Sequence, residues 1–155
     1  MPNFTEYMRA LAKETQWAAL RNPDPDKGCF VALEDDVDLL FATRGPGVVL
    51  LKSELCQMPE DSVVRDGILK RVGQFMVGVR RQRRTQLSLE GDSFVAFRLV
   101  DTMTSIPVFL RLVTDWVNDV VWWKKAVAQA VLLEQKSEPE SMTSLFSNSF
   151  VGIRL

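Results

Sequence analysis

The chain has 155 residues, of which 46% are hydrophobic and 25% charged, a balance typical of one ordinary globular domain. Its formal net charge of −1 gives no general attraction to nucleic acid, and no apolar run in the sequence is long enough to span a membrane. The sequence contains no histidine, which excludes Ser–His and Cys–His nucleophilic pairs and all histidine metal sites.

Cysteine usage and the N-terminus indicate the cellular compartment. Cys29 and Cys56 have no nearby cysteine partner in the sequence, so we expect both to be reduced thiols in the core. Residues 1–14 lack the basic-then-apolar order of a signal peptide. The sequence therefore predicts a protein of a reducing cytoplasm.

The chain begins with an amphipathic helix, which we predict over residues 3–20. Asn3 is placed to cap it, with Glu6 three residues on. Its apolar face consists of Phe4, Tyr7, Met8, Leu11 and Thr15. The turn at 21–28 contains Asp24 and Asp26, but loop position six is Cys29 where a calcium loop needs glycine. No metal site is predicted there.

Three short apolar runs follow this turn. They are Cys29–Leu33, Val37–Thr43 and Val48–Leu51, and they are separated by an acidic turn at 34–36 and by Arg44-Gly45-Pro46-Gly47. Runs rich in β-branched and aromatic residues between turn residues are typical of an antiparallel meander. The Gly-Pro-Gly turn lacks the lysine–serine pair of a phosphate loop, so we expect a hairpin.

A second helix is predicted over residues 59–79. Pro59 suits its first turn, and its apolar stripe consists of Val64, Ile68, Val72, Phe75, Met76 and Val79. Glycine costs about 1 kcal/mol relative to alanine inside a helix, so Gly67, Gly73 and Gly78 indicate a packing reason. Two interpretations stay open: a core helix covering a sheet, or a helix that also forms a dimer interface.

Four arginines between Arg80 and Arg84 form the strongest local charge signal in the chain. A helix end that turns into a solvated loop is the interpretation we favour, because isolated charge runs are usually solvated. Binding of phosphates and pairing with an acidic partner segment are the alternatives.

The last third of the chain contains a hairpin and the longest helix. Strands are predicted at 85–90 and 93–100 around Gly91-Asp92. A helix follows over 106–135, with its buried stripe at Phe109, Leu112, Val113, Trp116, Val120, Trp123 and Val127. We therefore expect one domain over residues 1–136 and, over 137–155, a flexible serine-rich tail with an apolar end.

Several of these elements carry local features typical of one family. They are Leu11-Ala12 in the first helix, the hairpin of Cys29–Leu33 and Val37–Leu40, Leu55 with Met58-Pro59 before the second helix, the hairpin at 86–100, and Trp116 with Trp122-Trp123. With this order and length, the chain resembles the class I type III secretion chaperones, the Tir-chaperone-like family of Gram-negative bacteria, over residues 3–135. It lacks the family's asparagine near the end of the second helix, where the arginine cluster stands.

The resemblance implies an α+β fold, α-β-β-β-α-β-β-α, with a twisted antiparallel sheet packed by helices. It implies a cytoplasmic bacterial homodimer without enzymatic activity, ATP or any cofactor. The second helix and its neighbouring strands would lie at the two-fold interface. The candidate interface residues on the helix are Ile68, Val72, Phe75, Met76 and Val79.

The partner that the resemblance implies is the unfolded N-terminal region of a secreted effector, kept soluble and secretion-competent. Components of the secretion apparatus are a further class of partner. The effector segment would wrap, largely extended, around the dimer and place apolar side chains in grooves. The candidate groove residues are Phe4, Met8, Leu11, Trp17, Phe30, Leu39 and Phe41, each of which is equally compatible with plain core.

Three alternatives stay open at this point. A chaperone-like regulator that sequesters a protein controlling transcription of the secretion system would have the same fold. A nucleic-acid-binding protein would use Arg80–Arg84. An enzyme of unrecognised type, with Asp35 or Asp38 as its carboxylate, ranks last because the chain lacks histidine.

Overall fold

A computed structural model of the chain describes residues 1–79 and 84–154, with the side chains of residues 1–79 and 84–136. Its three helices and five strands follow one another in the predicted order, α-β-β-β-α-β-β-α. A short 3₁₀ turn, Ala18–Leu20, follows the first helix. The elements are α1 (Phe4–Thr15), β1 (Cys29–Ala32), β2 (Asp38–Thr43), β3 (Val48–Gln57), α2 (Ser62–Val79), β4 (Gln86–Glu90), β5 (Ser93–Asp101) and α3 (Ile106–Arg154).

The five strands form one antiparallel sheet in the order β1-β2-β3-β5-β4. Helices α1 and α3 pack together against one face of this sheet, and α2 packs on α3. The α+β fold predicted from the sequence is therefore confirmed. Strands β1 and β4 lie at the two edges and pair on one side only.

The core lies between α3 and the sheet. Side chains alternate between the faces of a strand, and in β3 the residues Val49, Leu51 and Leu55 are buried while their neighbours are partly or fully exposed. The predicted stripe of α3 faces the sheet, and only Leu112 of its seven residues is half-buried. Phe41 of β2 meets Trp116 of α3 edge-on, with ring centroids 6.2 Å apart.

Helix α1 has a capping box at its N-terminus and ends earlier than predicted. The Asn3 side chain accepts from the Glu6 N–H, and the Glu6 side chain accepts from the Asn3 N–H, which completes the expected capping box. Gln16 adopts a left-handed conformation with φ of 62°, so the helix ends at Thr15 and the prediction of a helix to residue 20 is too long.

Three other boundaries differ from those expected. Strand β3 continues to Gln57, six residues beyond the predicted run Val48–Leu51. Helix α2 begins at Ser62 and not at Pro59, because the Asp61 carboxylate accepts from the Val63 and Val64 N–H groups. Helix α3 continues to Arg154, through the segment expected to be a tail. The division into a domain over 1–136 and a tail over 137–155 stays a prediction.

Close packing of α2 on α3 occurs at one of the three glycines of α2. A Cβ on Gly67 would lie 2.1 Å from Oε1 of Glu134, whose Oε2 accepts from Arg71 Nε at 2.8 Å. A Cβ on Gly73 or Gly78 would meet no described atom within 4 Å. Gly67 thus has its packing reason within the chain, and the other two face open space.

The Tyr7 hydroxyl gives a first test of this packing. It is fully buried and donates to the carbonyls of Thr102, at 3.0 Å, and Thr104. Tyr7→Phe keeps the ring against Phe109 and removes these bonds, so we expect the free energy of unfolding in urea to fall by about 1–2 kcal/mol. Thr114→Ala, which removes an exposed helix hydroxyl, should change it by less than about 0.5 kcal/mol. Equal stability of Tyr7→Phe and the parent would show that the two bonds add nothing.

The glycines of α2 give a second, paired test. Gly73→Ala should raise the free energy of unfolding by about 0.5–1 kcal/mol, because the helix gains propensity without a clash. Gly67→Ala should gain less, since its Cβ displaces the Glu134 carboxylate from Arg71. Urea unfolding at two protein concentrations measures both. A loss of stability in Gly73→Ala would mean that Gly73 packs against a molecule other than its own chain.

Candidate protein-binding site

The structure separates the seven candidate groove residues by how far each is exposed. Met8, Leu11, Leu39 and Phe41 are buried in the core of the single chain and present no surface to a partner. Phe4 is also buried, at 5% exposure, but it lines a groove at the N-terminus of α1. Trp17 is half-buried, with its ring centroid 6.4 Å from that of Phe41. Phe30 is 67% exposed, and its strand neighbours Cys29 and Val31 are buried because successive side chains point to opposite faces of the sheet.

Phe30 lies on the sheet face opposite α1 and α3, which we call the open sheet face. Cross-strand pairing places Phe30 beside Leu40, Leu40 beside Lys52, and Lys52 beside Phe97. The adjacent row holds Ala42, Leu50 and Leu99. Leu40, Leu50 and Phe97 are half-buried and Leu99 is exposed, so apolar side chains extend across four strands of this face.

A shallow groove of about 270 Å³ lies beside Phe30 on this face. Its apolar lining comes from Phe30, Leu40 and Val95. Its polar lining comes from Asp38, Lys52, Ser53, Glu54, Glu90 and Ser93. Lys52 forms an ion pair with Glu90, and Ser53 Oγ donates to the Asp38 carbonyl at 2.6 Å. The groove therefore combines an apolar floor with carboxylates.

A larger groove of about 700 Å³ separates the N-terminus of α1 from the turn between β2 and β3. Gly45, Pro46 and Gly47 line it, and the two glycines have φ of 70° and 78°. They form the turn of the hairpin between β2 and β3, as predicted, and not a phosphate loop.

Helix α2 presents a different surface from the one expected. Ile68 and Val72 are buried against the chain's own core, and Phe75 and Val79 are half-buried. Only Met76 of the five candidate interface residues is exposed, at 38%. Val77, which was not among them, is 83% exposed, because it lies off the stripe that the helix period picks out.

Acid–base or metal chemistry finds little support among residues 1–79 and 84–136. Burial raises the pKa of both thiols, Cys29 and Cys56, so neither is an activated thiolate. Within these residues no three Cys, Asp or Glu side chains are grouped as a metal site would require. No helix in this part of the chain has the length and hydropathy needed to cross a membrane.

The predicted basic cluster is only partly visible, because Arg80–Arg83 lie outside the described residues. Arg84 shares a cleft of about 340 Å³ with Arg98, Asp115 and Asp119. Asp119 accepts from the buried Thr85 hydroxyl at 2.9 Å. Two carboxylates beside two guanidiniums make this cleft electrostatically mixed rather than basic.

No protein-family model matches the chain, and no curated protein matches it. Its fold is nevertheless found in solved structures. A chain of the ExsC–ExsE complex matches with a TM-score of 0.58 and 12% identity, over 81% of this chain and 96% of that chain. A chain of the HopA1–SchA chaperone–effector complex matches with a TM-score of 0.52 and 11% identity, over 77% and 91%.

A third match is to the structure of the Yersinia pestis type III secretion chaperone SycH in complex with a stable fragment of YscM2. The TM-score is 0.51 at 12% identity, over 77% of this chain and 98% of that chain. At such identities the likeness is one of fold. The matched structures thus include a type III secretion chaperone and a chaperone–effector complex, and the chain shares their fold.

Proposed function

We propose that this protein is a cytoplasmic chaperone that binds the N-terminal region of a type III secreted effector and keeps it secretion-competent. The observation that carries the proposal is the open sheet face, where Phe30 stands 67% exposed among further apolar side chains. The similarity between the fold of this chain and that of a chain in a chaperone–effector complex supports the same function. Monomeric proteins rarely leave contiguous apolar surface uncovered without a binding role.

An extended, unfolded segment fits this surface for a physical reason. The edge strands β1 and β4 each leave one row of backbone groups unpaired within the sheet. A segment that adds to such an edge gains main-chain hydrogen bonds, and its alternate side chains reach the open sheet face. These gains offset the conformational entropy that an unfolded segment loses on ordering. No reaction is needed for this role.

The dimer remains part of the proposal, with a revised interface. The C-terminal part of α2 presents two adjacent exposed apolar side chains, Met76 and Val77. We place the two-fold contact on this surface, because the expected residues Ile68 and Val72 already contact the chain's own core.

The alternative functions differ in the partner that the protein binds. A chaperone-like regulator would use the same surface to sequester a regulatory protein. Nucleic-acid binding would depend on Arg80–Arg83, since Arg84 and Arg98 lie beside carboxylates. The identity of the co-purifying partner separates these functions from the effector chaperone.

Capture from the native cell tests the proposed function. Affinity-tagged protein should retain the N-terminal region of a larger secreted protein in a two-to-one complex, as weighed by light scattering. Phe30→Thr should reduce the retained amount about tenfold, because it removes an exposed aromatic anchor and keeps a strand-forming residue. Met103→Thr, at a residue 76% exposed in the turn before α3, should retain the parent amount.

Three outcomes would contradict the proposal. Retention of nucleic acid alone would favour the basic cluster, and retention of a small regulator would favour sequestration. Equal retention by Phe30→Thr and the parent would remove the open sheet face as the binding surface.

The proposed dimer has its own test. Val77→Asp should halve the mass measured by light scattering, because two buried carboxylates would meet near the two-fold axis. Met103→Asp, at a residue 76% exposed in the turn before α3 and outside the proposed surface, should leave the mass unchanged. Circular dichroism confirms that both variants fold. An unchanged mass in Val77→Asp would place the contact elsewhere.

A further inference from the structure

We propose that the groove beside Phe30 selects segments in which a basic residue stands two positions from an apolar anchor. This inference rests on the proposed function and adds the chemistry of the partner. It follows from where charge lies on the open sheet face, as distinct from how much charge the chain has.

The groove carries a net negative charge. Three carboxylates, Asp38, Glu54 and Glu90, line it with one ammonium, Lys52. Lys52 is paired with Glu90, which leaves Asp38 and Glu54 uncompensated. Within residues 1–79 and 84–136 neither of these two forms an ion pair, and Glu54 only accepts from the Gln57 amide at 2.6 Å. Both are exposed and accessible to a partner's cation.

The apolar and acidic residues occupy successive rows of the sheet. Phe30 and Leu40 pair in one row, and Ala32 pairs with Asp38 in the next row on the same face. Glu54 pairs with Val95, which brings a second carboxylate to that part of the face. Two residues of extended chain span about 6.6 Å, the spacing of such rows. An anchor beside Phe30 therefore places the side chain two positions away beside Ala32, whose cross-strand neighbour is Asp38.

The same charges argue against other occupants of the groove. Phosphates of a nucleic acid would be repelled by the uncompensated Asp38 and Glu54. A second copy of the chain docked through the same face would bring these carboxylates towards their own equivalents across the two-fold axis. A segment with lysine or arginine is attracted, and it keeps the apolar contact with Phe30.

Three fluorescein-labelled peptides and the full-length protein test the inference. All are serine-rich, eleven residues long, with a central phenylalanine and leucine near each end. One has lysine two positions to either side of the phenylalanine, its twin has glutamate there, and the third has lysine at the adjacent positions. Side chains at adjacent positions of a strand point to the opposite face. Fluorescence anisotropy gives the three dissociation constants.

We expect the first peptide to bind about tenfold more tightly than either of the others at about 50 mM salt, and this preference to shrink at about 200 mM salt. Asp38→Asn with Glu54→Gln should reduce the preference to less than about threefold. Glu14→Gln with Asp26→Asn removes the same charge from exposed carboxylates outside the groove and should preserve it. Phe30→Thr should weaken binding of all three peptides.

Equal binding of the lysine and glutamate peptides, or an unchanged preference in Asp38→Asn with Glu54→Gln, would overturn the inference. If Phe30→Thr still weakened both, docking on the open sheet face would stand and only the charge selection would fail. Binding of none of the peptides would also overturn it, and effector capture would then decide the proposed function separately. Dissociation of a dimer by Phe30→Thr would show a second copy in the groove, which contradicts the inference.

Discussion

Burial of Trp116 and Trp123 between α3 and the sheet is the interaction on which the rest of the structure depends. Both side chains are almost fully buried, and burial of an aromatic of this size is worth about 4–6 kcal/mol. Their indole N–H groups have no hydrogen-bond partner among the described residues, which costs about 1–3 kcal/mol each, so burial prevails. Because α1 and α3 cover one face only, every second strand residue is directed to a face that no described element covers.

The one-sided cover explains which parts of the fold were predictable from the sequence. The short apolar runs of the meander, the period of α3 and the capping pair Asn3–Glu6 are local patterns, and the structure agrees with them. The end of α1 was not predictable from the sequence. The left-handed residue that ends a helix is usually glycine, and here it is Gln16. The candidate groove residues on α1 were a harder problem. An apolar face shows that something covers it, and Phe4, Met8 and Leu11 are covered by the chain itself.

Helix α2 also shows that an apolar pattern does not identify what covers it. Its stripe correctly identified buried residues, such as Ile68 and Val72, but the helix packs on α3 and not on the sheet. Contact with the chain's own core excludes these residues from a partner's reach. Val77 lies off the stripe, so the helix period agrees with its exposure, but the period does not show whether a partner covers it. Gly67 and Gly73 look alike in the sequence, yet only Gly67 has a facing carboxylate, on Glu134, 67 positions further along the chain. Such pairings depend on tertiary packing, which helix periodicity does not encode.

The charge presented by the open sheet face depends on which side chains form ion pairs more than on the net charge of the chain. The chain as a whole is nearly neutral, with 19 basic and 20 acidic residues, and this balance argues only against general attraction to polyanions. Locally, Lys52 is paired with Glu90, and the carboxylates left over stand one row from Phe30. An apolar anchor alone would accept any unfolded segment, since burial of apolar surface is non-directional. Unpaired charge one row away adds a positional requirement, and for a partner without tertiary structure the spacing along its sequence is the property that such a site can read.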